Sequence, residues 1–279
     1  MKVAVTGSSG FVGQHLVNTL KKNKHDVIEI DLKTGYDITL WSSIEEIISF
    51  DVMIHLAAKS FVPDSYTHPR EFHYTNFNGT LNALELCRKN KSKFIFISSY
   101  IYGNPEYLPI DENHPVKIFN PYARTKIIGE NLCEGYNNDF GIPIIIFRPF
   151  NIYGTGQNSS FLIPQIISQA LNNQIILKDK RPKRDFIYID DVVNALLSSL
   201  EYTGSEFEIF NLGSGRSTSV ETLSNIIRKK IDNSINIKFL GEHRENEVLD
   251  TIACIDKART LLNWNPQFSL EKGLDKILN

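Results

Sequence analysis

The stretch KVAVTGSSGFVG, from Lys2 to Gly13, combines a short apolar strand, a glycine turn and the beginning of a helix. Gly7 and Gly10 allow the backbone to turn sharply and approach a ligand, and Gly13 allows the helix to pack closely on the strand. The N–H groups of such a turn, together with the positive end of the helix dipole, face a pyrophosphate. The spacing TGxxGxxG is one residue wider than GxGxxG, so the stretch predicts dinucleotide binding only with support from the rest of the chain.

Composition narrows the class of protein. A chain of 279 residues suits one large domain or two closely joined ones, and a net charge of −2 favours neither nucleic acid nor an anionic membrane as partner. Cys87, Cys133 and Cys254 form no CxxC pair, so we expect no disulfide framework, no metal site and a reducing cytoplasm. No apolar run is long enough to span a bilayer, and the first strand begins at once, which leaves no room for a signal peptide.

An acid follows the second predicted strand. The stretch HDVIEID ends at Asp31, where dinucleotide-binding folds place an acid that accepts hydrogen bonds from the adenosine ribose. Such an acid repels a 2′-phosphate and favours NAD, while the nearby Lys33 leaves NADP open as an alternative. Asp37 and Ile38 could flank the adenine, and Asp37 could equally cap a helix predicted over residues 41–48.

Strands and helices alternate through residue 147. DVMIHLAA and FIFISS read as buried strands, with a helix predicted over residues 69–88 between them. This alternation predicts a parallel sheet covered on both faces. Ligands of such sheets bind beyond the carboxyl ends of the strands. The predicted sheet places the following residues at that edge: Gly7, Asp31, His55 to Ala58, and Ser98.

The pattern loosens beyond residue 150. We therefore predict an α/β fold in which residues 1–150 form a Rossmann-type doubly wound parallel sheet that binds NAD(P). Residues 151–279 would form a smaller C-terminal α/β lobe that holds the substrate, while the helix near 190–201 returns to the first domain. Within the second lobe FEIFNLGSG reads as a strand and turn, and Thr218 with Glu221 reads as a capping box.

A tyrosine and a lysine lie four residues apart at the start of a predicted helix. Asn120 and Pro121 are a good N-cap and first residue, so Tyr122 and Lys126 share a face of the first turns. The lysine cation and an oxidised nicotinamide would lower the pKa of Tyr122, which could then take a proton from a sugar or alcohol hydroxyl. Ser98 could hydrogen-bond the same oxygen, and Lys126 could also hold the nicotinamide ribose. A surface Tyr/Lys pair would give the same spacing, but the preceding glycine turn and hydroxyl-ended strand favour catalysis.

Several further motifs occur in a fixed order: TGSSGFVG, HLAAKS, NFNGT, SSYIYG, YARTK, RPFNIYG, RDFIYIDDV, NLGSG, RENE and LLNWNP. Together they resemble the extended short-chain dehydrogenase/reductase family in its NAD-dependent nucleotide-sugar epimerase/dehydratase branch, over nearly the whole chain. The resemblance implies that the cofactor contacts Phe11, Val12, Asp31, Leu32, Asp37, Ile38, Leu56, Ala57, Lys59 and Asn76, with Phe150 and Ile152 beside the nicotinamide. The predicted cofactor site is completed by Gly7, Gly10, Gly13, Ala58, Tyr122 and Lys126.

The resemblance also implies a substrate site. Asn151, Arg184 and Arg244 would meet the substrate diphosphate and nucleoside, and the arginines offer planar donors to phosphate oxygens. Glu247 would contact the nucleoside ribose, and Ser98 and Tyr122 the sugar. The helices over 69–88 and 121–139 would pair in a homodimer, and polysaccharide biosynthesis is the implied setting.

Departures from the family pattern narrow the expected activity. Dehydratases of this branch carry an Asp-Glu pair where this chain has Ser99 and Tyr100, so a 4,6-dehydratase is disfavoured. Cys254 stands where the family usually has Asp. The short segment from Asp31 to Asp37 favours an NAD(P)H-dependent 4-keto-6-deoxysugar reductase. Asp31 itself favours a tightly held NAD, which suits an epimerase. We therefore predict an NAD-dependent nucleotide-sugar 4-epimerase, with that reductase and a catalytically silent NAD(P)-binding scaffold or redox sensor as alternatives.

Overall fold

The computed structural model describes residues 1–243 and 247–279, and Arg244 therefore lies outside the described residues. The strands are β1 (Lys2–Thr6), β2 (Asp26–Ile30), β3 (Val52–His55), β4 (Lys93–Ile97), β5 (Ile144–Pro149), β6 (Asn151–Tyr153), β7 (Gln174–Leu177), β8 (Lys183–Tyr188), β9 (Phe207–Leu212), β10 (Ser217–Ser219) and β11 (Asn236–Phe239). The helices are α1 (Phe11–Lys22), α2 (Trp41–Ile44), α3 (Val62–Thr67), α4 (Pro69–His73), α5 (Gly79–Asn90), α6 (Pro121–Phe140), α7 (Leu162–Leu171), α8 (Ile189–Leu200), α9 (Val220–Ile231), α10 (Asp256–Leu261) and α11 (Leu270–Leu278).

A parallel sheet forms the centre of the protein. In the described part of the chain its six strands follow the order β2-β1-β3-β4-β5-β9. Thr6 pairs with Ile30 on one side and with His55 on the other, so β1, β2 and β3 end at the same level. Because the strands are parallel, their carboxyl ends share one edge, which confirms the predicted Rossmann-type α/β fold.

Helices cover both faces of this sheet. Successive side chains of a strand point to opposite faces, and β1 follows this rule. Val3 and Val5 join one buried cluster with Leu16 of α1, whereas Ala4 joins a second cluster with Leu84 of α5. The near-continuous apolar character of β1 therefore reflects burial on both sides of a parallel sheet.

The second half of the chain builds smaller sheets and also returns to the central one. In the described residues β10, β8 and β6 form a three-stranded sheet, and β11 pairs with β7. The strand predicted within the second lobe, Phe207–Leu212, is instead β9 and pairs with β5 at the edge of the central sheet. The order of strands along the chain does not predict that β9 returns to the central sheet, because a strand can cross over to any free edge. We propose a division in which residues 1–150, α8 and β9 form the first lobe.

Several predicted helices differ in detail from the observed ones. The helix expected over 69–88 consists of α4, a π-helical segment Tyr74–Asn78 and α5, and α2 ends at Ile44 rather than at residue 48. The cap of α9 is Ser219, whose hydroxyl accepts from the Thr222 N–H at 3.0 Å, because Thr218 pairs with Arg184 in the β10–β8 ladder. No helix within 1–243 or 247–279 combines the length and apolarity needed to cross a membrane.

Candidate active site

The glycine turn packs so closely that side chains would not fit. Gly7 has a φ of 68°, in the left-handed region, and a Cβ added there would lie 2.8 Å from the Ala57 nitrogen. A Cβ added at Gly13 would lie 2.1 Å from the Gly7 carbonyl oxygen. The N-cap of α1 is Gly10, so within the described residues no N-cap side chain occupies the first N–H groups of the helix. This cradle fits the pyrophosphate of a dinucleotide.

Ser8 belongs to the same turn and was not singled out from the sequence. Its side chain is buried, and its hydroxyl has no hydrogen-bond partner among residues 1–243 and 247–279. A buried hydroxyl without a partner is uncommon in folded proteins and is consistent with a ligand at that position. The feature of the sequence that could have indicated Ser8 as a ligand contact is its place inside the TGSSG turn.

Asp31 lies at the end of β2 beside the glycine turn. One carboxylate oxygen accepts from the backbone N–H of Ser9 at 3.2 Å, and the other accepts from Lys33 N–H at 3.0 Å. These bonds hold the carboxylate next to the turn, where the ribose of a dinucleotide would lie. Leu32, which follows it, is 74% exposed.

Asp37 and Ile38 occupy the adjacent loop. The Asp37 carboxylate accepts from both the N–H and the hydroxyl of Thr39, at 2.9 Å and 2.7 Å, and thus closes a local turn. The alternative in which Asp37 caps α2 is wrong, because the N-cap of α2 is Leu40. Ile38 is buried, and its carbonyl oxygen accepts from the Asn82 side chain at 2.9 Å.

The loop after β3 is held by threonine and asparagine side chains. Thr6 Oγ1 accepts from the N–H groups of Leu56 and Ala57, each at 3.2 Å, and Ala58 is half-buried beside them. The Asn76 amide pairs with both backbone groups of Lys59, accepting at 2.8 Å and donating at 3.0 Å. The Lys59 ammonium points outward to Glu71. The structure therefore places these predicted cofactor residues side by side at the end of β3.

Lys126 is directed toward the end of β4. Its side chain is buried, its Nζ donates to the Ile97 carbonyl at 2.7 Å, and the ammonium lies 4.9 Å from the centre of the Phe96 ring. Burial lowers the pKa of Lys126 to about 8, and the charge of Glu130 acts in the opposite direction. The ammonium therefore lies one residue before Ser98 along β4 and is charged at neutral pH.

Tyr122 is the neighbour of Ser99. Burial raises the pKa of Tyr122, and a hydrogen bond with the Ser99 side chain acts against that rise. Burial and the Ser99 bond determine the shift of the Tyr122 pKa, so the expectation that Lys126 lowers it is wrong for this structure. A positive charge next to the phenol, such as that of an oxidised nicotinamide, is therefore needed before Tyr122 can act as a base at neutral pH.

The two serines at the end of β4 have different surroundings. Ser98 donates its N–H to Phe147 at 2.8 Å, while its buried hydroxyl has no partner in the described ranges. That hydroxyl is available to an oxygen of a ligand, as predicted for Ser98. The sequence indicates Ser99 only as the residue that stands in place of a dehydratase acid. Its contact with Tyr122 depends on the path of the chain after β4, which the sequence does not report.

Residues predicted to surround the nicotinamide and sugar follow β5. Phe150 is buried, and its ring centre lies 5.2 Å from that of Tyr100 in a T-shaped arrangement. Asn151 and Ile152 lie on β6, where Asn151 pairs with Phe186 of β8. This pairing places β8 next to the segment that follows the central sheet.

Arg184 lies on β8 and contacts another predicted ligand-binding residue. Its guanidinium donates to the Val248 carbonyl at 2.6 Å and pairs with the Glu247 carboxylate. Both side chains remain partly exposed, at 20% and 16%. The predicted diphosphate and ribose contacts are thus adjacent, while the prediction for Arg244 falls outside the described residues.

A sequence model of the NAD dependent epimerase/dehydratase family matches residues 3–213. The chain belongs to this family. It is 36% identical to a putative UDP-glucose 4-epimerase of Methanocaldococcus jannaschii, over 99% of this chain and 97% of that protein. It is 32% identical to a UDP-glucuronate 4-epimerase of Thermodesulfobacterium geofontis, over 99% of this chain and 94% of that protein.

Solved structures of family members are also similar. A UDP-glucose 4-epimerase of Thermotoga maritima, solved with UDP-glucose, superposes with a TM-score of 0.94 at 29% identity, covering 100% of this chain and 97% of that one. A UDP-glucuronic acid 4-epimerase of Bacillus cereus, solved with UDP-glucuronic acid and NAD, superposes with a TM-score of 0.89 at 32% identity. The match covers 99% of this chain and 98% of that one. The resemblance found from the motifs is confirmed, and the glycine cradle of this family member fits NAD.

Replacing Gly13 with alanine is expected to weaken NAD binding by at least about tenfold, because the new Cβ would displace the Gly7 carbonyl. Binding is measured by NADH fluorescence, with thermal unfolding as the check that the variant is folded. Gly135→Ala is the matched control, because it lies within α6 and a Cβ there meets nothing within 4 Å. A folded Gly13→Ala variant with wild-type affinity would contradict the assignment of the cradle.

Proposed function

We propose that this family member is an NAD-dependent nucleotide-sugar 4-epimerase that acts on a uridine-diphosphate sugar. One arrangement carries the proposal: Tyr122 with Ser99, the Ser98 hydroxyl and the buried Lys126 ammonium lie together at the end of β4, and within 1–243 and 247–279 that hydroxyl has no partner. The glycine cradle lies at the same edge of the sheet. The similar proteins named above, which are 4-epimerases of UDP-glucose or UDP-glucuronate, support the choice of substrate.

NAD, when bound, supplies reversible hydride transfer at the sugar carbon. Tyr122 accepts the proton of the C4 hydroxyl and later returns a proton to the C4 oxygen, while Ser98 holds that oxygen in place. Lys126, whose pKa of about 8 leaves it cationic at neutral pH, would hold the nicotinamide ribose, and the positive charge of the oxidised nicotinamide would lower the pKa of Tyr122. We propose that Arg184 binds the diphosphate, with Asn151, Arg244 and Glu247 around the nucleotide. A substrate held at this distant end can present either face of its sugar to the same groups.

The residues at the end of β4 also argue against dehydration. Elimination of water needs an acid and a base beside the sugar. The Tyr100 hydroxyl donates to the Gly103 carbonyl at 2.6 Å, and burial raises the pKa of Tyr100. Neither this phenol nor the Ser99 hydroxyl can replace a carboxylate pair at neutral pH.

Tyr122→Phe is expected to lower epimerase turnover by about 10²- to 10⁴-fold, because it removes the proton-transfer group. NADH affinity should stay within a few-fold of the wild type. Product formation is followed by NMR with UDP-glucose, UDP-glucuronate and UDP-N-acetylglucosamine. The matched control is Tyr136→Phe on the same helix, where the hydroxyl lies 3.5 Å from Glu85 and loss of activity is not expected.

The same assay separates the alternatives. Stoichiometric NAD(P)H consumption with 4-keto sugars, and no epimerisation, would identify a reductase instead. A wild-type protein that binds NAD but converts no nucleotide sugar would identify a silent scaffold or redox sensor. Undiminished turnover in Tyr122→Phe would refute the catalytic assignment itself.

Ser98→Ala and Ser99→Ala are expected to have different effects. Loss of the Ser98 hydroxyl should lower kcat about tenfold without moving the pH profile and without lowering stability, because the group has no partner in the described residues. Loss of the Ser99 hydrogen bond removes an interaction that lowers the pKa of Tyr122, so the acidic limb of the kcat profile should move to higher pH. The reverse pattern would exchange the two roles.

We also propose that the protein forms a homodimer through α4, the π-helical segment, α5 and α6. An apolar depression of about 420 Å³ lies on this face, and Tyr74 beside it is 51% exposed. Phe140, at the end of α6, is 54% exposed. These helices form a surface that can pair with its own copy by two-fold symmetry.

Tyr74→Glu should convert the dimer to a monomer of 31.8 kDa in sedimentation equilibrium, because a charge would be buried on both sides of the interface. Leu171→Glu is the control, since this apolar and 66% exposed residue lies on α7, which is not part of the proposed face. A wild-type monomer at all concentrations would contradict the proposal.

The proposed compartment is the reducing cytoplasm, with polysaccharide biosynthesis as the setting. All three cysteines are free, and Cys87 and Cys133 are buried. Burial raises the pKa of both buried thiols, which keeps them unreactive. These features support a protein that keeps its thiols reduced.

A further inference from the structure

A chain of buried hydrogen bonds begins at Thr6, the last residue of β1 before the glycine turn. Thr6 Oγ1 lies 2.7 Å from Nδ1 of His55, at the end of β3. Nε2 of His55 lies 3.2 Å from Oγ1 of Thr80, on α5. The imidazole stacks on the rings of Phe94 and Phe96, at centre distances of 5.8 Å and 6.0 Å, which fix its orientation. The chain thus crosses from the sheet to a helix through one ring.

The same chain continues to the helix that carries Tyr122. Thr80 Oγ1 donates to the Asn76 carbonyl at 2.7 Å, and the Asn76 side-chain amide donates to Thr125 Oγ1 at 2.8 Å. Thr125 Oγ1 in turn donates to the Tyr122 carbonyl at 2.7 Å. Asn76 lies in the π-helical segment, an irregularity that occurs frequently at functional sites. The bonds therefore connect the glycine turn with the first turn of α6.

The other hydrogen bonds of the threonines determine the direction of the protons. Thr6 Oγ1 already accepts two backbone N–H groups, from Leu56 and Ala57, so its own proton points to Nδ1 of His55. Thr80 gives its proton to Asn76, so it must accept from Nε2 of His55. His55 is therefore the neutral tautomer with its proton on Nε2. Burial, with a smaller effect of the Lys126 charge, lowers the pKa of His55 to about 3.

All donors in this chain point the same way. The hydroxyl of Thr6 donates toward His55, His55 toward Thr80, Thr80 toward Asn76, and Asn76 through Thr125 toward Tyr122. At Asn76 the series passes from the backbone carbonyl, which accepts, to the side-chain amide, which donates. Breaking one bond inside a buried network leaves its partner unsatisfied. Each of the five side chains from Thr6 to Thr125 is at most 3% exposed, so water cannot replace a lost partner.

We propose that His55, Thr80, Asn76 and Thr125 form a positioning relay that sets the first turn of α6 relative to the glycine turn. This inference rests on the proposed function. In that function the glycine turn holds the NAD that exchanges the hydride, and α6 carries the Tyr122 that exchanges the proton of the C4 hydroxyl. A displacement of about 1 Å between such partners can cost about a hundredfold in rate. The relay residues act through Tyr122 and the glycine turn, and none of them exchanges a proton with the substrate.

The relay is tested by breaking it at two points with isosteric substitutions. Thr80→Val and Thr125→Val each remove one hydroxyl and should lower kcat about tenfold with little change in KM, because the reacting groups move apart. Thr80→Ser and Thr125→Ser keep the hydroxyl and should recover most of the activity. The double valine variant should be no slower than the slower single variant, since one break already uncouples the two elements.

Ser224→Ala is the control for the loss of a buried hydroxyl. Ser224 lies on α9 and donates to Val220 at 2.7 Å, so its loss should lower the melting temperature without changing kcat. The relay is refuted if the valine variants keep wild-type kcat and lose only thermal stability, as this control should. It is also refuted if the two valine effects simply add, because independent packing defects would then explain them.

A second readout does not depend on turnover. Nitrogen NMR of the wild-type imidazole at neutral pH should show His55 as the Nε2–H tautomer, and Thr80→Val should shift the Nε2 signal while Thr80→Ser should not. The Nδ1–H tautomer would overturn the relay whatever the enzyme does. If instead the wild-type protein epimerises no nucleotide sugar, the proposed function fails, while the tautomer still decides whether the relay exists.

Discussion

The hydrogen bond from the Lys126 ammonium to the Ile97 carbonyl, at 2.7 Å, joins α6 to β4 at the point where the site is assembled. A buried ammonium is costly unless other groups compensate its charge. Here the compensation comes from the carbonyl, from the face of the Phe96 ring and from Glu130, one helical turn further along α6. Moving α6 along the sheet would break the contacts with the Ile97 carbonyl and the Phe96 ring, so this charge helps to determine where Tyr122 lies.

Glu130 is itself compensated. Arg148 of β5 donates two hydrogen bonds to its carboxylate, at 2.6 Å and 3.0 Å, and both side chains are 5% exposed. Arg148 also donates to the Tyr102 hydroxyl at 3.1 Å, and Tyr102 donates to Asn211 of β9 at 2.6 Å. Removing one member would leave an unpaired charge, which is more destabilising than the loss of a surface ion pair. The charge of Lys126 is thus supported by a polar network that reaches the edge of the central sheet.

The relay and this network approach α6 from different sides. The relay runs from the glycine turn through β3 and α5 to Tyr122, whereas the ion pair runs from β5 to Glu130. Together they fix the rotation and the position of one helix against two neighbouring elements of the sheet. Such support explains how a site whose parts come from distant segments can hold its geometry on a fold used for many functions.

Local rules were sufficient for much of the fold and part of the site. The Asn120 cap, confirmed by its 2.7 Å bond from Ala123 N–H, and the Pro121 start follow from residue types alone, as does the shared face of Tyr122 and Lys126. The parallel sheet follows from the alternation of apolar strands and helices. Errors arose where a tertiary partner competed with a local one. Thr218 pairs with Arg184 in the β10–β8 ladder, so Ser219 caps α9 instead. Phe207–Leu212 pairs with β5 at the edge of the central sheet rather than within the second lobe.

The sequence by itself determined the glycine turn, the order of the strands along the chain and the helix that presents Tyr122 and Lys126, because these depend on interactions within a few residues. The tertiary structure alone decided that Ser99 is the hydrogen-bond neighbour of Tyr122, that Arg184 meets Glu247, and that His55 connects Thr6 with Thr80. Those contacts join residues far apart in the chain, and their distances depend on how the sheet and helices pack. No local propensity carries that information.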